Sequence, residues 1–125
     1  MTNKNLSIKE TLILATQSYH KKDFKNATNL CKKILSINSN HCETIFLLGL
    51  LEIRDKNLDS AKRLFSQIID IEPLNVRAHN NLGNVLKELG NNKEAIISFN
   101  KVIKIDPRNT NAHYNLGGLF YKLRE

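Results

Sequence analysis

The residues recur at a fixed interval of 34, and that interval restricts what the chain can become more than anything else in it. Sliding the sequence along itself by 34 without gaps puts Ala15, Gly49, Gly83 and Gly117 in one column and Ala27, Ala61 and Ala95 in another. Cys31, Phe65 and Phe99 form a third column, and Leu14, Leu48, Leu82 and Leu116 a fourth. A gapless period of this length marks a stacked array, in which each unit buries its apolar face on its neighbours and no unit folds alone.

Within each period the apolar residues fall at helical spacing. The second half of each unit carries Ala27, Leu30, Cys31, Ile34 and Leu35, then Ala61, Leu64, Phe65, Ile68 and Ile69, then Ala95, Ile96, Phe99, Val102 and Ile103. Steps of three and four make each an amphipathic helix. Ser7 with Glu10 reads as a capping box for the first helix, which is expected to run to about Lys21. Asp23, Asn57 and Asn91 recur at the turn inside each unit, placed to cap the second helices, and Glu94 is expected to complete a box after Asn91. Pro73 and Pro107 end those helices, because proline disfavours helical geometry before it and has no N–H to continue the ladder. The glycine column implies close helix approach, with Gly83 expected against Ala95 and Ala15 against Ala27.

At 125 residues there is room for one domain, and 41% hydrophobic with 25% charged residues is an ordinary balance for a water-soluble chain. The formal charge of +7 is spread along the sequence. Lys32, Lys33, Lys62, Arg63, Lys101 and Lys104 fall mostly on the outward side of second helices, so a solvated face is expected and nucleic acid is not an expected partner. Cys31 and Cys42 lack metal spacing; Cys31 stands in a core column as a small buried hydrophobe, and no disulfide is expected. The first residues do not resemble a signal peptide. The longest apolar run, Ile45 to Leu51, is too short to cross a bilayer, so a reducing, cytoplasmic setting without membrane contact is expected.

No paired cysteines, phosphate-cradling glycine loop or serine nucleophile elbow is present, so no catalytic residue, no cofactor and no metal is expected. His79 and His113 stand one repeat apart, roughly 10 Å, too far to share a zinc ion that each ligand approaches within about 2 Å. A packing role is expected for both.

The segment HNNLGNVLKELGNNKEAIISFNKVIKIDP resembles a tetratricopeptide repeat: Leu82 and Gly83, Ala95, Phe99 and Pro107 stand where that family has its leucine-glycine pair, alanine, aromatic and proline. The resemblance covers Ile8 to Glu125. It implies an all-α fold, an α-solenoid of seven helices stacked as a right-handed superhelix. A polar lead of residues 1–7 precedes repeats 8–41, 42–75, 76–109 and the first helix of a fourth, 110–125. Ser39 replaces the proline of Pro73 and Pro107, and Ser18 and Glu52 occupy the column where Leu86 and Phe120 supply bulk, so the first repeat is the least regular.

The resemblance further implies a protein-protein interaction scaffold, not an enzyme, binding a protein or peptide segment in the concave groove lined by first helices. The expected groove is apolar at Leu12, Phe46, Leu50 and Ile53, with Ile13 and Leu47 beside them. It is polar at Asn80, Asn81, Asn84, Asn111, Tyr114 and Asn115. Exposed apolar patches mark contact surfaces, although residues 1–7 or tighter coiling would cover this one equally well. Asn81 and Asn115 are similar to the asparagine ladder of the arrays preceding the catalytic domain of protein O-linked N-acetylglucosamine transferases, which hold the backbone of an extended polypeptide. The alternative is therefore a substrate-recruiting front end of a larger enzyme such as a glycosyltransferase. The clamp that other family members use for a chaperone's C-terminal carboxylate is not reproduced. Because the sequence stops within a repeat, Leu116 and Phe120 are expected to lie uncovered, so that the C-terminal end self-associates or the last helix frays in isolation.

Overall fold

In a computed structural model, which describes residues 6–124, the sequence period becomes a period of helix boundaries. The first helices are α1 (Ile8–His20), α3 (Cys42–Arg54) and α5 (Val76–Glu88); the second helices are α2 (Phe24–Ile37), α4 (Leu58–Ile71) and α6 (Asn92–Ile105). Helix α7 (Thr110–Arg124) begins a further unit, and no strand occurs among the described residues. Each first helix packs on its own second helix, and each second helix on the next first helix.

The core is strung along the array. Ala15, Ala27, Cys31, Leu47 and Leu51 form one cluster from α1, α2 and α3. Ile45, Ala61, Phe65, Ile68, Ala78 and Val85 form the next, and Leu86, Ala95, Phe99, Val102, Ala112, Leu116 and Leu119 the last. Every cluster draws on three successive helices, so stability comes from neighbour contacts.

The nearest neighbours of Gly49 and Gly83 are the rings of the aromatic column, one helical turn beyond the alanines. A Cβ on Gly83 would lie 2.7 Å from two ring atoms of Phe99, and one on Gly49 would lie 2.7 Å from Phe65 Cζ. Four residues C-terminal to the alanine, the ring occupies the space directly over the glycine.

Capping is distributed differently from the sequence expectation. Ser7 and Glu10 form the expected box, and Asp23 accepts from the Asn26 N–H at 3.2 Å. Asn57 and Asn91 stand at N-cap positions but make no side-chain capping bond, and no box forms through Glu94. The amide of Asn57 reaches back to Glu52 instead, at 3.4 Å. The asparagines that do cap lie between repeats: Asn75 accepts from Ala78 N–H and Asn109 from Ala112 N–H, at the starts of α5 and α7.

Helix α4 ends at Ile71 and α6 at Ile105, each two residues before its proline; α2 ends at the equivalent Ile37 although Ser39 replaces the proline. Asn38 takes an extended conformation, φ −136° and ψ 96°, much like Asp106 with φ −133° and ψ 86°. The carbonyls at these turns are bonded by different means. His79 reaches Pro73 O at 2.8 Å and His113 reaches Pro107 O at 2.8 Å, whereas Gln67 of α4 donates to Ser39 O at 3.0 Å. The two histidines thus close the turns between repeats.

Candidate functional site

The side chains of the first helices line three recesses. The first, of about 370 Å³, is floored by Leu12, Phe46, Leu47 and Leu50 and rimmed by Glu43, Glu72 and Arg77. A second, of about 670 Å³, is bounded by Tyr19, Leu50, Ile53, Asn81, Asn84 and Val85, with Lys22, Arg54, Lys87 and Glu88 at its edge. The third lies beside α7, among Tyr114, Asn115, Gly118 and Lys122.

Helical spacing explains this grouping. Leu12, Thr16 and Tyr19 of α1 repeat as Phe46, Leu50 and Ile53 of α3, steps of four and three that share a helix face. The inner sides of these residues rest on the core: Leu12 and Tyr19 pack on the first cluster, Phe46, Leu50 and Ile53 on the second. The apolar surface is consequently less open than the residue types suggest. Leu47 is 8% exposed and joins the core. Phe46 meets Phe65 edge to face at 5.5 Å, and the Arg77 guanidinium lies 4.1 Å above its ring. Ile13, by contrast, is half exposed. Coverage of this surface by residues 1–5 lies outside the described residues.

The asparagines divide into engaged and available groups. Asn80 donates to Asn109 Oδ1 at 3.2 Å across the repeat boundary, and its own oxygen is buried without a partner. It lines none of the three recesses. Through this bond its amide nitrogen ties α5 to the turn before α7. Asn81 donates to Arg77 O at 2.8 Å, one helical turn back, which leaves its oxygen to accept. Asn115 accepts from Lys87 at 3.1 Å, which leaves its nitrogen to donate. Asn84 borders the second recess, while Asn111 is exposed and borders none of the three. Tyr114 is 82% exposed.

The stacked arginines escape sequence reasoning. Arg54 lies 3.8 Å above the ring of Phe24, and Arg77 covers Phe46; the partners are 30 and 31 residues apart and occupy different columns. Such pairs follow from how successive repeats tilt together, which periodicity does not encode.

No group of three or more potential metal ligands converges among the described residues, and no helix there is long and apolar enough to cross a membrane. Burial pushes the Cys31 thiol up to about 11. Cys42, at the first recess, is raised by burial and then by neighbouring Glu72.

A family model described as a tetratricopeptide repeat matches residues 64–97, and another described as a TPR repeat matches residues 83–123. Residues 64–123 are thus matched as tetratricopeptide repeats, and the helix pairs from Ile8 onward keep the same 34-residue register. Solved structures agree with the chain over most of its length. An O-GlcNAc transferase mutant from Thermobaculum terrenum superposes with a TM-score of 0.82 at 28% identity, covering 90% of this chain but 22% of that one. This chain thus spans under a quarter of the transferase's length. MamA gives a TM-score of 0.87 at 20% identity over 93% of this chain and 68% of its own. The first TPR of Spaghetti (RPAP3), bound to an HSP90 peptide, gives 0.89 at 14% identity over 94% of both chains. At those two identities the likeness concerns the fold.

Proposed function

We propose that this chain is an interaction scaffold that holds an extended peptide along its first helices and performs no chemistry itself. The observation that carries this reading is the first recess, whose floor of Leu12, Phe46, Leu47 and Leu50 suits an apolar anchor residue. Further along the array stand two amides with one hydrogen-bonding half to spare, Asn81 at the second recess as acceptor and Asn115 at the third as donor. Backbone contacts of this kind tolerate varied ligand sequences, so selectivity falls to the anchor.

Peptides selected from a random library on the whole chain, measured by fluorescence anisotropy, test the reading. Each free half offers one bond of about 0.5 to 1.5 kcal/mol, so Asn81→Ala with Asn115→Ala lowers affinity about ten- to a hundredfold for all selected peptides. Phe46→Ala, with folding checked by circular dichroism, weakens only peptides with an apolar anchor. Unchanged affinity in the folded asparagine double variant overturns the backbone contacts, and the absence of any selected binder overturns the reading.

A second reading, recruitment of substrate to a larger enzyme, is supported by the 28% identity to the transferase. The reading frame beyond Glu125 decides it: an in-frame glycosyltransferase domain supports recruitment and a stop codon removes it. The end of α7 further suggests self-association, since Phe120 and Leu123 are half exposed and a Cβ at Gly117 meets nothing within 4 Å.

A further inference from the structure

Charge divides unequally between the two sets of helices. The second helices α2, α4 and α6 carry eight cations against three carboxylates, whereas the first helices α1, α3 and α5 carry four of each. A face that is merely solvated mixes both signs. Within the second helices α4 is balanced, with Lys62 and Arg63 against Asp59 and Asp70, so the excess belongs to α2 and α6. An uncompensated positive surface favours an anionic partner.

On α6 the cations fall in line with an open apolar residue. Lys93, Ile97, Lys101 and Lys104 follow one another at steps of four, four and three, share one helix face and are all exposed, Ile97 to 68%. The repeat does not require an apolar residue there, because the same position holds Asn29 in α2 and Arg63 in α4. Glu94, the single carboxylate of α6, lies at the edge of this face. No residue of α6 lines any of the three recesses, so the face belongs to the side of the array that the peptide reading leaves unused.

We propose that the outer face of α6 rests on an anionic lipid surface, with Lys93, Lys101 and Lys104 on the headgroups and Ile97 inserted between them. Such a surface is negative outside and apolar beneath, the combination that an isoleucine among lysines complements. Lys25, Lys32 and Lys33 of α2, all exposed, add attraction without insertion. The chemistry of these helices favours lipid over nucleic acid. Seven of the eight cations are lysines, point charges suited to a diffuse surface potential, whereas arginine is the residue that grips phosphate through two parallel bonds. Their aromatic rings are not free for base stacking, since Phe65 and Phe99 are fully buried and Phe24 lies under Arg54. The absence of a spanning helix among the described residues bears on crossing a bilayer, not on lying against one. This inference is independent of the peptide-groove reading.

Co-sedimentation of the whole chain with lipid vesicles tests the proposal. The chain should bind phosphatidylcholine vesicles that contain about a third phosphatidylserine, come off as salt rises, and ignore pure phosphatidylcholine. Lys101→Gln should weaken binding about fivefold, and Ile97→Asn, which copies the residue of α2, by a similar factor. Both side chains are exposed, so circular dichroism should show unchanged helicity. Lys9→Gln, which removes the same charge from α1, should stay within about twofold. No binding to the phosphatidylserine vesicles, or equal binding to both kinds, overturns the proposal. So does a loss in Lys9→Gln as large as in Lys101→Gln, which would leave net charge alone as the cause. Unchanged vesicle binding in Ile97→Asn, with tighter binding to a mixed-sequence DNA duplex, assigns the face to nucleic acid and overturns the lipid assignment.

Discussion

Gly49 lies directly beneath the ring of Phe65, so close that a Cβ at the glycine would stand 2.7 Å from the ring's Cζ atom. Gly83 and Phe99 repeat the relationship, and in the first repeat the same two columns hold Ala15 and Cys31, both fully buried. The larger residue on one helix goes with the smaller on the other. Close-packed interiors demand such compensation, because neither a void nor an overlap is tolerated cheaply.

Gly83→Ala should destabilise the array by about 1 to 3 kcal/mol through overpacking, less the roughly 1 kcal/mol that alanine gains in helix propensity. The Phe99 ring that would have to move is fully buried. Combining it with Phe99→Cys, which copies the first repeat's pair, should cost less than the two single changes added together. Gly117→Ala is the control: with nothing near its Cβ, it should stabilise by up to about 1 kcal/mol. Urea unfolding of the four variants measures all of this, and strict additivity would refute the size-compensation argument.

The turns inside the repeats store backbone strain at one register. Lys22, Lys56 and Gly90 stand 34 residues apart with φ of 65°, 63° and 83°, the left-handed region that side chains resist. Lys56→Gly should therefore stabilise by about 0.5 to 1 kcal/mol, and Gly90→Ala should cost about 1 kcal/mol. Lys22→Gly should also help, but it removes a cation from the second recess. A loss of stability in Lys56→Gly would show that the lysine stem contributes more than the strain costs.

The core columns were legible because a buried face repeats in sequence as it repeats in space, and Ala27, Ala61 and Ala95 are all fully buried. Residue chemistry alone was less informative at the turns. Asp23, Asn57 and Asn91 share nearly one backbone geometry, ψ 73°, 69° and 67°, yet only Asp23 makes the capping bond, while Asn75 and Asn109 cap the helices between repeats. At the candidate site, the columns identified which residues share a face but not what each already touches. Asn80 and Asn109 meet across 29 residues, and Lys87 and Asn115 across 28; neither distance is a multiple of the repeat.

The thiols give a prediction about pH. Cys31, raised to about 11, should resist iodoacetamide at pH 8 until the chain unfolds, and Cys42 should react slowly. A folded value above the unfolded one, about 8.5, means that the contribution is fully present below that pH. It is lost as pH rises toward 11, where the unfolded thiol ionises first. The melting temperature of the wild type should accordingly fall faster across this window than that of Cys31→Ala. Parallel curves would show that the buried thiol has no such linkage.

The last helix supplies the remaining prediction, with one correction to what its sequence suggested. Leu116 is 6% exposed because α7 turns it against α6, where it joins Ala112 and Leu119 in the core. Phe120 is open as expected, 52% exposed, and Leu123 takes the place of Leu116 beside it at 50%. Their equivalents in α5 are Leu86 and Leu89, both packed against core clusters. On α7 the same face therefore presents two large side chains beside the notch at Gly117, and a second copy of the chain carries the same knob and notch. Reciprocal insertion would satisfy the twofold symmetry that a closed dimer requires. Sedimentation velocity should show mass increasing with concentration for the 125-residue chain, and Phe120→Lys with Leu123→Lys should abolish the increase without lowering helicity. A wild-type chain that remains monomeric at the highest attainable concentration would leave α7 as a solvated helix and refute self-association.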